Sequence, residues 1–175
     1  FNTGGLSIDG SADNRIESNN LSNITGFGLE MGEENFRNHV IGNLANNNTD
    51  DGLVIGGGTP PGDGNTIEGN QANGNGSDGI VVGGANNIVL RNEANSNAAW
   101  GIYASGPDVD GYVVDAGFNS ASGNGEPTQC YNISCTGGPA PPVDTTAPQT
   151  TIESAPGNPT YLTRATFSFS GQDDA

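Results

Sequence analysis

The chain contains no lysine and one histidine, and its four basic residues are all arginine. Set against twenty acids, they leave a formal net charge of −16. So few cations exclude a nucleic-acid partner, because almost nothing is present to neutralise phosphates and release their counterions. The same shortage excludes an anionic membrane surface. No stretch approaches the roughly 18 apolar residues of a membrane span, so this segment carries none. Its first residue, Phe1, falls inside a repeat with no leader before it, so a processed end or a truncation is expected. The one histidine, His39, has no Cys, Met or His partner in the pattern, which argues against a copper site. Only two cysteines occur, Cys130 and Cys135. Without a second pair they make a poor metal site. They read either as a local disulfide, which implies an oxidising compartment, or as free thiols.

What the chain has in abundance is glycine and asparagine. Low hydrophobicity with high net charge can signal disorder. Here the apolar residues recur in register, which favours an ordered repeat. Taking Asn19, Asn43, Asn70 and Asn92 as origins, a small or apolar residue stands two later at Leu21, Ala45, Ala72 and Ala94. A glycine stands nine later at Gly28, Gly52, Gly79 and Gly101. Apolar pairs follow at Leu29/Met31, Leu53/Ile55, Ile80/Val82 and Ile102/Ala104. Five before each origin stands another asparagine, at Asn14, Asn38, Asn65 and Asn87. Two after that comes Ile16, Val40, Ile67 or Val89.

Apolar residues spaced by two place one face of a short strand inward. No helical spacing persists, and Gly and Asn are poor helix interiors. Strands this short, in repeats of more than twenty residues, cannot pair as hairpins. They can pair with their equivalents in the next coil, about 4.8 Å away. The expected fold is therefore all-β, a right-handed parallel β-helix of about five coils. Asn suits its bends, and Asn stacked at one position can form a side-chain ladder.

The motif Asn-x-Ile-x-x-Asn…Gly-Ile-x-Val, as in Asn65 to Val82, resembles the parallel β-helix repeat of the pectate-lyase-like superfamily. It is most similar to the extracellular and periplasmic repeat proteins that include copper-site maturation factors and alginate epimerases. The resemblance covers roughly residues 1 to 125 and implies fold more than function, since its positions are structural.

Length variation falls at one corner, in the loops Gly32 to Arg37, Gly56 to Gly64, Gly83 to Asn86 and Ser105 to about Gly111. In repeat proteins such insertions cluster on one face. The β-helix is assigned residues 1–135, with a degenerate final coil from Tyr112 to Cys135. A Pro/Thr/Gly linker at 136–148 follows. The segment 149–175 resembles the opening strands of a bacterial immunoglobulin-like domain, with too few strands to close a sandwich.

For chemistry, the position eight after each origin reads Phe27, Asp51, Asp78 and Trp100. In register these stack as one column, with two carboxylates a strand spacing apart and an aromatic at each end. Tyr103 points outward nearby. Aromatic faces beside carboxylates suit a sugar ring, whereas Asp before Gly is also a favoured turn pair. Weak Ca²⁺ candidates are Asp51, Asp78, Asp108 and Asp110, the first pair by repulsion and the second from a partial Ca²⁺ loop. Asn48-Thr-Asp-Asp-Gly52 is faintly similar to a polygalacturonase motif, but the Gly-His-Gly and Arg-Ile-Lys segments of those enzymes do not occur. The epimerase Asp-Pro-His-Asp motif does not occur either. No catalytic residue is assigned and no cofactor beyond Ca²⁺ is indicated. The leading expectation is a non-catalytic, secreted or cell-surface β-helix module, structural or in contact with a polysaccharide or surface glycan. The alternative is a fragment of a polysaccharide lyase, hydrolase or epimerase with its catalytic coils elsewhere.

Overall fold

The computed structural model describes residues 5–56, 62–105, 113–137, 149–154 and 168–172. Among them there are strands and no helix. The first coils contribute β1 (Leu6–Ile8), β2 (Arg15–Glu17), β3 (Leu29–Met31), β4 (His39–Ile41) and β5 (Leu53–Ile55). The middle of the chain gives β6 (Thr66–Glu68), β7 (Ile80–Val82), β8 (Ile88–Leu90) and β9 (Ile102–Ala104). Then follow β10 (Val114–Gly117), β11 (Asn119–Ser120), β12 (Cys130–Tyr131) and β13 (Cys135–Thr136).

Each strand pairs in parallel with its equivalent in the neighbouring coil. One sheet runs β1-β3-β5-β7-β9-β12 and the other β10-β8-β6-β4-β2. The register is that of the repeat: Leu29 faces Leu53, Leu53 faces Ile80 and Ile80 faces Ile102. On the other sheet Ile16, Val40, Ile67 and Val89 align in turn. A third side, which the repeat arithmetic does not mark as a strand, is a line of single bridges through Asn20, Leu44, Gln71, Glu93 and Ser120. The aliphatics of the inner faces fill the coil: Leu29, Met31, Leu53, Ile55, Ile80, Val82, Val40, Ile67 and Val89 are all fully buried.

Three corners shape each coil, and each follows one rule. A residue in the left-handed region turns the chain, and an asparagine follows it inward. Ser18, Gly42, Gly69, Arg91 and Phe118 have φ between 54° and 61° and precede Asn19, Asn43, Asn70, Asn92 and Asn119. Asp13, Arg37, Gly64 and Asn86 do the same before Asn14, Asn38, Asn65 and Asn87. Asn47, Gly74, Ser96 and Gly123 precede a third column, Asn48, Asn75, Asn97 and Asn124, which the repeat reading leaves unassigned. The stacked asparagines therefore do not turn the backbone themselves. They satisfy it.

Asn70 shows how. Its Oδ1 accepts the backbone N–H of Asn43 at 2.9 Å and the Asn43 amide at 3.0 Å. Its own Nδ2 donates to Asn92 Oδ1 at 3.0 Å and to the Val40 carbonyl at 2.8 Å. Every polar valence of this fully buried side chain is used, which is what makes burial of an amide tolerable. The glycine nine after each origin has a matching cause. A Cβ on Gly79 would lie 2.5 Å from the Gly101 carbonyl oxygen and 2.6 Å from Asn97 Nδ2. Gly28 and Gly52 are crowded in the same way by Asn48 and Asn75. The third asparagine column thus requires the glycine column.

The last coil is closed by β12 on β9 and β13 on β11. Cys130 and Cys135 form a disulfide between these two strands, with Cα atoms 6.1 Å apart. Gln129 Oε1 accepts from the Asn124 backbone at 2.9 Å and from its amide at 3.0 Å, ending that ladder. Residues 1–141 make one compact unit and 142–175 another. In the second, β14 (Gln149–Ser154) pairs antiparallel with β15 (Ser168–Gln172).

Candidate functional site

The outer face of the first sheet carries two neighbouring columns. One is the set Phe27, Asp51, Asp78 and Trp100, aligned because each precedes a register-paired strand by two residues. The other consists of the outward strand residues Glu30, Val54, Val81, Tyr103 and Tyr131. Strand alternation sends these outward because Leu/Met, Leu/Ile, Ile/Val and Ile/Ala on either side of them are buried.

Each of the two aspartates has a definite bonding partner. Asp51 Oδ1 accepts the backbone N–H of Asp78 at 2.6 Å. Asp78 Oδ1 accepts the backbone N–H of Trp100 at 2.7 Å. Each carboxylate therefore satisfies a backbone donor in the next coil, a structural task beyond the Asp-Gly turn preference. Burial pushes the Asp78 carboxyl above the ordinary aspartate range, and the charges of Asp51 and Glu126 push the same way. The Trp100 N–H opposes them.

At the C-terminal end of the face three rings meet. Tyr103 and Tyr131 are cross-strand partners, stacked at 5.1 Å and 10°. Trp100 tilts against Tyr103 at 5.1 Å and against Tyr131 at 5.8 Å. Its Nε1 lies 3.4 Å from Thr128 Oγ1. Tyr131 remains 43 % exposed, so the wall opens to solvent. The structure thus joins Asp51, Asp78, Trp100 and Tyr103 in one patch. Phe27 ends the column on the N-terminal side, one coil from Asp51 and three from Trp100, about 14 Å at one strand spacing per coil. There Phe27 lines a cavity of about 260 Å³ with Leu6, Thr25 and Glu30. Sequence reasoning did not find Tyr131, Thr128 or Glu126, which lie where the Asn/Gly frame has faded. Tyr131 had one signal, its place directly after Cys130.

Asp108 and Asp110 lie outside the described residues. Among the described residues, no group of three or more His, Cys, Asp or Glu side chains is arranged to hold a metal ion. Among them, too, no helix is long and apolar enough to cross a membrane. His39 is exposed on β4, and the arginines pair elsewhere: Arg15 with Glu17, Arg37 with Asp13, and Arg91 with Glu68. The Arg91 guanidinium also sits 5.7 Å from the Phe118 ring centroid.

Coils stacked through two parallel sheets and three internal amide ladders define a β-solenoid. A family model described as "Right handed beta helix region" matches residues 1–125, and the chain belongs to that family. No curated protein and no solved structure matches the chain.

Proposed function

We propose that this chain is a non-catalytic β-helix module of a secreted or cell-surface protein, contacting carbohydrate through the wall of Trp100, Tyr103 and Tyr131. The observation that carries the reading is that wall itself: three touching rings on an outward sheet face, one of them 43 % exposed, with carboxylates alongside. Aromatic rings present flat apolar surface to the C–H faces of a sugar, and neighbouring carboxylates accept hydrogen bonds from its hydroxyls. An additional immunoglobulin-like domain beginning near residue 149 fits a modular surface protein.

The alternative, a fragment of a polysaccharide lyase, hydrolase or epimerase, puts its catalytic coils outside this segment; within it, the Asp51 and Asp78 carboxylates both accept from backbone donors. The test is glycan-array binding by the wild type and by Trp100→Ala. Binding lost in the variant, at unchanged circular dichroism, supports the reading. Equal binding by both proteins counts against it, as does release of unsaturated or reducing sugars by the wild type.

A further inference from the structure

The sugar-contacting face has a sign, and that sign narrows what it takes. Asp51 and Asp78 stand in adjacent coils beside the aromatic wall, and Asp78 touches the Trp100 backbone. Glu126 joins them from the closing coil: its backbone N–H donates to the Ala99 carbonyl at 3.1 Å, which stacks it directly over the neighbour of Trp100. Thr128, two residues on, meets the indole nitrogen. On the N-terminal side, exposed Glu30 continues the outward column. Among the described residues no cation answers these charges, because Arg15, Arg37 and Arg91 pair with acids outside this patch. The carboxylates are spaced along the solenoid axis, and no three converge on a metal-sized point. Cations arranged along a chain would match such a line of charge, and rings beside carboxylates also favour an ammonium group electrostatically.

We infer that the face selects amine-bearing polysaccharides, of the glucosamine type, and rejects polyuronates. This rests on the carbohydrate reading above and adds the ligand's charge to it. Hexosamine rings lie against the exposed Tyr131 and the outer rims of Tyr103 and Trp100, and their ammonium groups reach Asp78, Asp51 and Glu126. From Glu30 to Tyr131 the face spans four strand spacings, about 19 Å, which suits an extended chain rather than one ring. A polyuronate would set its carboxylates against these acids, a like-charge contact that costs affinity.

Trp100 is the single tryptophan of the chain, so its fluorescence reports the patch directly. The full chain is titrated at pH 6 with glucosamine, N-acetylglucosamine and galacturonate oligomers of matched length. The expected result is glucosamine binding about fivefold tighter than the N-acetylated oligomer, the size of an exposed charge contact. The galacturonate oligomer should leave the signal unmoved. The preference should shrink in 0.5 M salt, where the Debye length is about 4 Å, and in Asp78→Asn and Glu126→Gln. Asp78→Asn keeps the acceptor for the Trp100 N–H, so the coil is expected to survive it. Equal binding of charged and uncharged oligomers overturns the amine assignment while leaving carbohydrate binding standing. So does a preference that neither salt nor the two variants reduce. Failure of all three oligomers to bind, with a glycan array also blank, overturns both.

Discussion

Single atoms decide the stability of these coils, and the two kinds of glycine show it. Gly42 has φ 60°, and a Cβ added there would find its nearest neighbour 3.9 Å away. Gly42→Ala therefore meets only the left-handed penalty, about 1 kcal/mol. Gly79 meets a carbonyl and an amide instead, and Gly79→Ala is expected to cost about 3 kcal/mol through displacement of packed backbone. Urea unfolding of both variants should rank them in that order. Asn70→Asp changes one atom. It replaces the donor facing Asn92 Oδ1 and the Val40 carbonyl with an acceptor, leaving oxygen against oxygen at two contacts. The expected loss exceeds about 2 kcal/mol at neutral pH, on the scale of a buried group without its partner. Part should return in acid, where a protonated carboxyl donates again; a melting temperature that is flat in pH for this variant would contradict the ladder.

Among the elements, the closing coil is the one whose attachment can be cut. The disulfide ties β12 to β13, and a short loop of this kind is worth about 2 kcal/mol. Reduction, or Cys130→Ser with Cys135→Ser, should lower the melting temperature and loosen Tyr131 from Tyr103. Near-ultraviolet circular dichroism should lose aromatic signal while far-ultraviolet signal stays close to wild type. The sequence made much of this architecture legible. Ile67, Ile80 and Val82 announce the strands, because a period of two with buried neighbours leaves few other solutions. Asn65 and Asn70 announce two corners. Asn48, Asn75 and Asn97 recur just as regularly yet stay unassigned by pattern, since no apolar strand accompanies them and the third side is held by isolated bridges. The site was half legible. Asp78 and Trp100 follow from register alone, whereas Tyr131 and Glu126 reach it from a coil that has lost the frame, where spacing predicts nothing.

For the molecule as a whole, pH acts through opposing groups. The Arg37 guanidinium holds the Asp13 carboxyl below the usual range, and Arg15 does the same for Glu17. Their contributions are present above the unfolded carboxylate range and fade as pH falls through the folded values. Asp78 runs the other way: its folded carboxyl takes up a proton more readily than the unfolded one, so its effect on stability worsens as pH rises through that window and is level above it. Asp78→Asn is therefore expected to melt higher than wild type at pH 7 and to converge with it at pH 3. A variant that melts lower at pH 7 would refute that sign. The asparagine columns also share one sense. The amide of one coil donates forward to the carbonyl oxygen of the next, from Asn14 to Asn38 and Asn65, from Asn19 through to Asn119, and from Asn75 to Asn97 and Asn124. Each string is polarised along the solenoid, and its last members meet acceptors built for them, Asp115 for Asn119 and Gln129 for Asn124. The stack therefore has a grammar as well as a geometry: whichever coil follows another must bring an oxygen to each amide it meets, so the coils can be stacked in only one orientation.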